Sequence, residues 1–322
     1  MRPSAAVIVI GPTASGKSAL AHKLCDHFRT KGFLASALVN LDAFQFYRGL
    51  DIGTAKPTRE EIEKYDYHCV DILNPEDRID AQEYARLAGV ACENILGQGG
   101  VPVCVGGSGL YLRAFLHGLD KLPEADEGLR HFLRLRAKKT GWPDMHRWLQ
   151  AIDAARAMEI HPNDSVRIER ALEIFFLTGK PPSESYRKSA VLQKQPCLFN
   201  AFVVHVDAPD AVLRSRIEAR TPVMLAAGWV SEVTRLFKQY GDSLSSFQSM
   251  KAIGYREILS HLQRPTETEE ILGVNIAVKT WQYAKRQRTW NAKEVSHANY
   301  VAGESTESLT SALESWWNAN AG

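Results

Sequence analysis

The run Gly11-Pro12-Thr13-Ala14-Ser15-Gly16-Lys17-Ser18 constrains this chain more than any other stretch of its sequence. It fits G-x-x-x-x-G-K-[ST] and lies between the two elements that the pattern needs. Ala5 to Ile10 before it is a continuous apolar, β-branched run that reads as a buried parallel strand. After it, Leu20, Leu24 and Phe28 fall on one face of a helical pattern. Strand, glycine turn and helix in that order point successive backbone N–H groups at a helix N-terminus, whose partial positive charge favours a phosphate. Gly11, Thr13, Ala14, Ser15, Gly16, Lys17 and Ser18 are the expected phosphate-binding set, with Lys17 on the distal phosphate and the Ser18 hydroxyl on Mg2+. An ordinary glycine-rich turn is the competing reading. ATP and GTP are the usual occupants of such a loop, so nucleotide chemistry stays open on this feature alone.

Further along, Leu34 to Leu41 reads as a strand ending at Asp42, and Val101 to Val105 as one ending at Gly106-Gly107. A helical stretch from about Asp80 to Leu96 separates them. Strand and helix in alternation imply a parallel α/β sheet. From about Leu119 to Ala190 the periodicity is helical with no strand, broken at Pro123, Gly141-Trp142-Pro143 and Lys180-Pro181-Pro182. One helix there, Ser165 to Thr178, has Asp164 as its cap, an Ile168/Leu172/Phe175 stripe and a Gly179 stop. Strand character returns at Phe202 to Val206, and the tail from Ala302 is polar and expected to be partly ordered. The expected architecture is α/β: a parallel-sheet core like that of the P-loop NTPases, with an inserted all-helical lobe. Its bounds are 1–119 for the first part of the core, 120–200 for the lobe and 201–322 for the rest, with basic C-terminal helices.

A chain of 322 residues, 45% hydrophobic and 24% charged, can bury a large core. Its formal net charge of +2 neither demands nor forbids a nucleic-acid partner, so any such partner must be argued from local patches. The five cysteines are scattered without a C-x-x-C pair, which argues against a disulfide framework or a zinc site and for a reducing compartment. No signal-peptide pattern opens the chain and no apolar run approaches membrane-spanning length, so the expected location is cytoplasmic, away from membranes.

Several further segments decide the substrate. They are Asp42-Ala43-Phe44-Gln45-Phe46-Tyr47-Arg48-Gly49 with Asp51 to Pro57, Val105-Gly106-Gly107-Ser108-Gly109-Leu110-Tyr111, and Pro162-Asn163-Asp164 with Arg167 and Arg170. Leu177 to Pro181, Arg220 with Met224 and Gly228, Ala252 to Glu257, and Tyr283-Ala284-Lys285-Arg286-Gln287 with Thr289-Trp290 follow. With the glycine loop, these segments resemble the tRNA dimethylallyltransferases, isopentenyl transferases acting on an adenine beside the anticodon. The resemblance spans about residues 7 to 293, in family order. The chain departs from the family in Ala43 for Ser, Ser108 for Thr, Trp281 for Arg, and Asn291-Ala292 for an aromatic-basic pair. No C-terminal zinc finger of the kind some eukaryotic relatives carry is expected.

That resemblance implies dimethylallyl diphosphate and the tRNA anticodon stem-loop as substrates, with Mg2+ as cofactor. An adenine N6 amine must lose a proton as it attacks the allylic carbon, and a carboxylate at a strand end beside the phosphate cradle can accept it. Asp42 is the candidate, the alternatives being a Mg2+-side carboxylate or a helix cap. Arg220 is expected to meet the developing diphosphate charge, unless it is only a salt-bridge partner. The resemblance places the Ser108 hydroxyl near base and diphosphate. It further implies tRNA contacts at Asp42, Ala43, Phe44, Gln45, Val166, Arg167, Arg170, Tyr255, Arg256, Lys285 and Arg286. The residues themselves offer some support. Gln45 carries an amide suited to an adenine edge, with Phe44, Phe46 and Tyr47 as apolar walls or simply core. Arg167 and Arg170 share a helical face away from the apolar stripe, so both are expected to face solvent or ligand. Lys279 to Lys293 is basic without an acid and carries Trp281, Tyr283 and Trp290, which suits a single-stranded loop or else a solvated face. A P-loop small-molecule kinase, a prenyl transferase for free adenine nucleotides and a non-catalytic RNA-binding protein remain as alternatives.

Overall fold

The computed structural model describes residues 5–119, 122–184, 200–265 and 268–320. Its chain divides into two compact units, Met1–Gly118 with Cys197–Gly322, and Leu119–Pro196. In the first unit, β1 (Ala5–Ile10), β2 (Ala37–Asn40), β3 (Pro102–Gly106), β4 (Asn200–Asp207) and β5 (Ala298–Val301) form one parallel sheet ordered β2-β3-β1-β4-β5. The centre of that order explains the composition of β1. Val7 pairs with Val103 on one side and Phe202 on the other, and every residue of the strand is buried. Only a continuous apolar run tolerates that position.

Helix α1 (Lys17–Thr30) covers one face through Leu20, Leu24 and Phe28, all buried as the spacing predicts. Helices α2 (Arg59–Tyr65), α3 (Ala81–Gly97) and α4 (Gly109–His117) complete the first half, with Asp80 capping α3 by accepting from the Gln82 and Glu83 N–H groups. Strand β2 is shorter than expected. The Ser36 N–H and hydroxyl both donate to the Phe33 carbonyl, closing a turn that leaves Leu34 outside the sheet and exposed. The second half adds α9 (Asp210–Ala226), α10 (Trp229–Tyr240), α11 (Tyr255–Gln263) and the 23-residue α12 (Glu269–Asn291).

The tail is more ordered than its composition suggests. β5 extends the sheet, and α13 (Glu307–Asn320) buries Leu309, Leu313 and Trp317 in the core, with Trp317 against Phe28 and Phe33. Those three residues recur every fourth position, so they share one face although the helix is polar elsewhere.

The second unit contains α5 (Glu127–Thr140), α6 (Trp142–Ile152), α7 (Ala154–Met158) and α8 (Ser165–Thr178), with no strand among its described residues. The expected helical character from 185 to Ala190 lies outside the described residues. Leu133, Met145, Leu149, Ile168 and Leu172 form its core. Helix α8 has the expected cap, Asp164 accepting from the Arg167 N–H at 3.1 Å, and the expected stop, Gly179 at φ 67°. Arg170, however, does not face outward. It donates to Glu173 at 2.5 Å and to the Pro123 carbonyl at 2.7 Å. Glu173 is fully buried and Arg130 also grips it, so the arginines neutralise a carboxylate that burial would otherwise penalise. Arg167, with only Asp164 at 3.5 Å, and Val166 stay exposed.

Candidate active site

Residue size shapes the glycine loop as it leaves β1. A Cβ on Gly11 would lie 2.2 Å from the Val206 carbonyl oxygen, so only glycine lets the loop pass over β4. Gly16 turns the chain into α1 at φ 92°, a left-handed conformation, and offers no side-chain cap. The amides of the first turn are therefore left to an anion. Thr13 is an exception within the expected phosphate set. Its N–H donates to Gln287 Oε1 at 2.8 Å and its hydroxyl accepts from Arg220 Nη2 at 3.0 Å. The Ser15 amide is likewise spent, on the Pro12 carbonyl. Gly11 and Ser15 shape the loop from behind, whereas Ala14, Gly16, Lys17 and Ser18 line a cavity of about 750 Å3.

Asp42 lines the same cavity, two residues beyond β2, and its charge acts directly on Lys17. Asn40 anchors it. The buried Asn40 side chain donates to the Cys69 carbonyl at 3.1 Å and accepts from the Asp42 N–H at 3.0 Å. The Asp42 Oδ1 accepts from the Phe44 N–H at 3.0 Å. Burial raises the Asp42 pKa, while Lys17 and the amides of Phe44 and Gln45 hold it back. Burial conversely lowers Lys17 to about 8, with Asp42 opposing and Arg220 adding to the drop. Arg220 lines the cavity, is itself pulled down by burial, and pairs with no carboxylate among the described residues. Lys17, Arg220 and Arg286 at the rim make the loop side of the cavity electropositive.

Ser108 meets the Asp42 segment from β3. Its Oγ accepts from the Ala43 N–H at 3.2 Å and lies 3.4 Å from the Tyr283 hydroxyl. Tyr283 lines the cavity, and burial pushes its phenol up to about 12, so it stays protonated. Gln287, one turn later on α12, completes a bracket by donating to the Gly107 carbonyl at 3.0 Å. The sequence analysis placed Tyr283 among aromatics suited to a single-stranded loop and gave Gln287 no individual role. Their i, i+4 spacing in a helix puts both on one face, which is the signal that was available.

Gln45 lines the cavity with Phe44 and directs its amide N–H groups at the Thr54 and Ala55 carbonyls, both at 3.1 Å. Phe46 and Tyr47 are core, fully buried beside Tyr84. Tyr255 departs from the expected RNA contacts. It is buried, its hydroxyl donating to Glu232 at 2.5 Å and accepting from the Gly53 N–H at 3.1 Å, so it holds structure and offers no surface. Arg256, Lys285 and Arg286 are exposed, the last two lying over the rings of Trp281 and Tyr283. Met224, Trp229, Ile253 and Ile276 contribute apolar side chains to the cavity lining.

The pattern of the IPP transferase family matches residues 45–294. The chain belongs to that family. Among curated relatives of this IPP transferase, the tRNA dimethylallyltransferase of Anaeromyxobacter dehalogenans is 41% identical over 288 residues, 89% of this chain and 92% of the relative. That of Halorhodospira halophila is 40% identical over 301 residues, 93% of each chain. The crystal structure of the full-length tRNA isopentenylpyrophosphate transferase from Bacillus halodurans superposes with a TM-score of 0.67 at 29% identity, covering 99% of both chains. Within this IPP transferase the matched region carries Gln45, Ser108, Arg220, Tyr283 and Gln287, and the glycine loop precedes it.

Proposed function

We propose that this IPP transferase moves the dimethylallyl group of dimethylallyl diphosphate to N6 of the adenine at tRNA position 37, beside the anticodon, and releases diphosphate. Transfer of a dimethylallyl group to tRNA is what its family membership supports. The atom, the position and the residue roles are the finer reading. One observation carries them: a single cavity is lined by the phosphate loop with Lys17, by the Asp42 carboxylate and by Gln45.

In this reading the amides of the first turn of α1, Lys17 and Arg220 bind the diphosphate and take up charge as the allylic C–O bond breaks. Preorganised donors of this kind are worth about 3 kcal/mol each at a developing anion. The Ser18 hydroxyl lines the cavity at the phosphate loop, and a hard oxygen donor of this type fits Mg2+. Bound there, the ion would supply further positive charge to the leaving diphosphate. N6 forms its bond to the allylic carbon and loses a proton, which Asp42 accepts. A pKa raised by burial makes Asp42 a stronger base than an ordinary aspartate.

The amide hydrogens of Gln45 are committed to backbone carbonyls, which leaves Oε1 as an acceptor for an adenine edge. The Met224, Trp229, Ile253 and Ile276 side chains suit a five-carbon apolar chain and exclude water from an allylic cation-like transition state. Arg256, Lys285 and Arg286 on the core, with Val166 and Arg167 on the helical unit, are the contacts assigned to the anticodon stem-loop. The cytoplasm, where tRNA is modified, is the corresponding location, and no helix among the described residues is long and apolar enough to cross a membrane.

The test is to incubate the protein with tRNA, Mg2+ and dimethylallyl diphosphate labelled in the prenyl group, then digest the RNA to nucleosides. Label on N6-prenyladenosine from position 37 is expected. Label on free adenine nucleotides alone, or tRNA-independent transfer of the terminal phosphoryl group of ATP, would overturn the assignment.

A further inference from the structure

The turn over residues 51–55 is held by two helices that contribute little else to the base side of the cavity. Glu232 of α10 is buried and pairs with no lysine or arginine among the described residues. Its carboxylate is satisfied by the turn instead. Oε2 accepts from the Asp51 N–H at 3.1 Å and the Ile52 N–H at 3.0 Å, while Oε1 accepts from the Tyr255 hydroxyl at 2.5 Å. Tyr255, from α11, accepts the next amide, that of Gly53, at 3.1 Å. Three consecutive backbone N–H groups are thus taken by side chains that lie about two hundred positions away in sequence.

Packing fixes the same turn from a second direction. The Trp229 indole is wedged between two glycines. A Cβ on Gly53 would come within 2.2 Å of it, and one on Gly254 within 2.1 Å. The turn can therefore neither slide along α10 nor lift off α11 without breaking a buried charge-assisted hydrogen bond or a close ring contact. Where the amides of residues 51–53 end, the carbonyls of Thr54 and Ala55 begin, and both receive the Gln45 amide.

From this chain of contacts we infer that Glu232 is a positioning residue for Gln45, acting through the turn 51–55, and so sets the base-reading end of the cavity without touching substrate. The inference rests on the proposed role of Gln45 toward adenine. A carboxylate is suited to the task because one oxygen can accept two neighbouring amides while the other orients the tyrosine. A buried carboxylate without a cationic partner is costly to keep, and the turn is what it is spent on.

A double-mutant cycle tests the coupling. Glu232→Leu, Glu232→Gln, Gln45→Ala and the double variant Gln45→Ala/Glu232→Leu are assayed for kcat and KM with tRNA, and titrated with inorganic diphosphate. Glu232→Leu is expected to raise KM for tRNA about tenfold with diphosphate affinity unchanged, and Glu232→Gln, which keeps an acceptor for the two amides, to recover most of it. In the Gln45→Ala background Glu232→Leu should add less than about twofold, because both act on one contact. Multiplying effects, or an equal loss of diphosphate affinity, would overturn the positioning role while leaving Gln45 as a reader. An unchanged kcat/KM in Gln45→Ala would instead overturn the reading of Gln45 itself. Should Glu232→Leu fail to fold, Tyr255→Phe removes the Gly53 acceptor and the hydroxyl that orients Glu232, and must give the same selective rise in KM for tRNA.

Discussion

The backbone N–H of Thr13 donates to the Oε1 of Gln287 at 2.8 Å, joining residues 274 positions apart. Through its Nε2 the same amide holds the Gly107 carbonyl, so one side chain of α12 ties the phosphate loop to the β3 turn that carries Ser108. Gln287→Ala is expected to orphan both backbone groups, each at a cost of about 1–3 kcal/mol. Titration with inorganic diphosphate should report an affinity loss of about tenfold, and thermal unfolding a lower Tm; an unaltered loop affinity would sever Gln287 from the site.

Lys17 predicts a pH dependence. With its pKa lowered to about 8, the free protein loses the ammonium as pH rises through that value. Diphosphate binding should weaken above about pH 8, and Lys17→Met should bind weakly at every pH without that step. The stability sign is opposite. Burial makes the charged lysine unfavourable in the fold, so the penalty is full below about 8 and fades as pH climbs toward the ordinary lysine value. Lys17→Met is accordingly expected to unfold at a higher Tm than the parent at pH 7.

Asp42 separates activity from stability in the same way. Prenyl transfer needs the carboxylate, so the acidic limb of the rate profile should lie above the usual aspartate range. A raised folded-state pKa means that stability falls as pH rises from the unfolded value through the folded one. Asp42→Asn retains an acceptor for the Phe44 N–H, so it should unfold at a Tm equal to or above that of the parent at pH 7. Its kcat should drop by about 100- to 10,000-fold, the range for a lost general base. Substantial turnover in this variant, measured in single-turnover assays, would remove Asp42 as the base.

Two residues of α8 should behave differently. Glu173→Ala leaves Arg130 and Arg170 beside an empty buried site and is expected to cost the helical unit about 3–5 kcal/mol. Arg167→Ala, at an exposed position, should leave the Tm unchanged while raising KM for tRNA and flattening its salt dependence. Circular dichroism melting and assays across a salt series distinguish the two outcomes.

Features encoded by adjacent residues were legible in the sequence. The Gly11–Ser18 loop follows from local backbone geometry, β1 from an unbroken apolar run, and α8 from its cap, stripe and glycine stop. Asp42 could be chosen because strand ends face the phosphate loop in a parallel sheet. The polar tail concealed α13, since three apolar residues on one face scarcely alter a composition dominated by Ser, Glu and Asn, and the four residues of β5 just before it are too short a run to announce a strand. Arg170 was expected to face outward, and Tyr255 to touch tRNA, because sequence does not display the buried carboxylates that draw them in.

Contiguous residues alone set the order of chemistry along the chain: a phosphate grip, then a carboxylate, each written in local conformational preferences. Tertiary structure alone decided that Gln287 would brace Thr13 and that Glu232 would seat the turn beneath Gln45, across 274 and 181 positions. Those pairings arise when burial strips water from polar groups and obliges each to find whatever partner the fold brings near, a requirement that no local pattern announces.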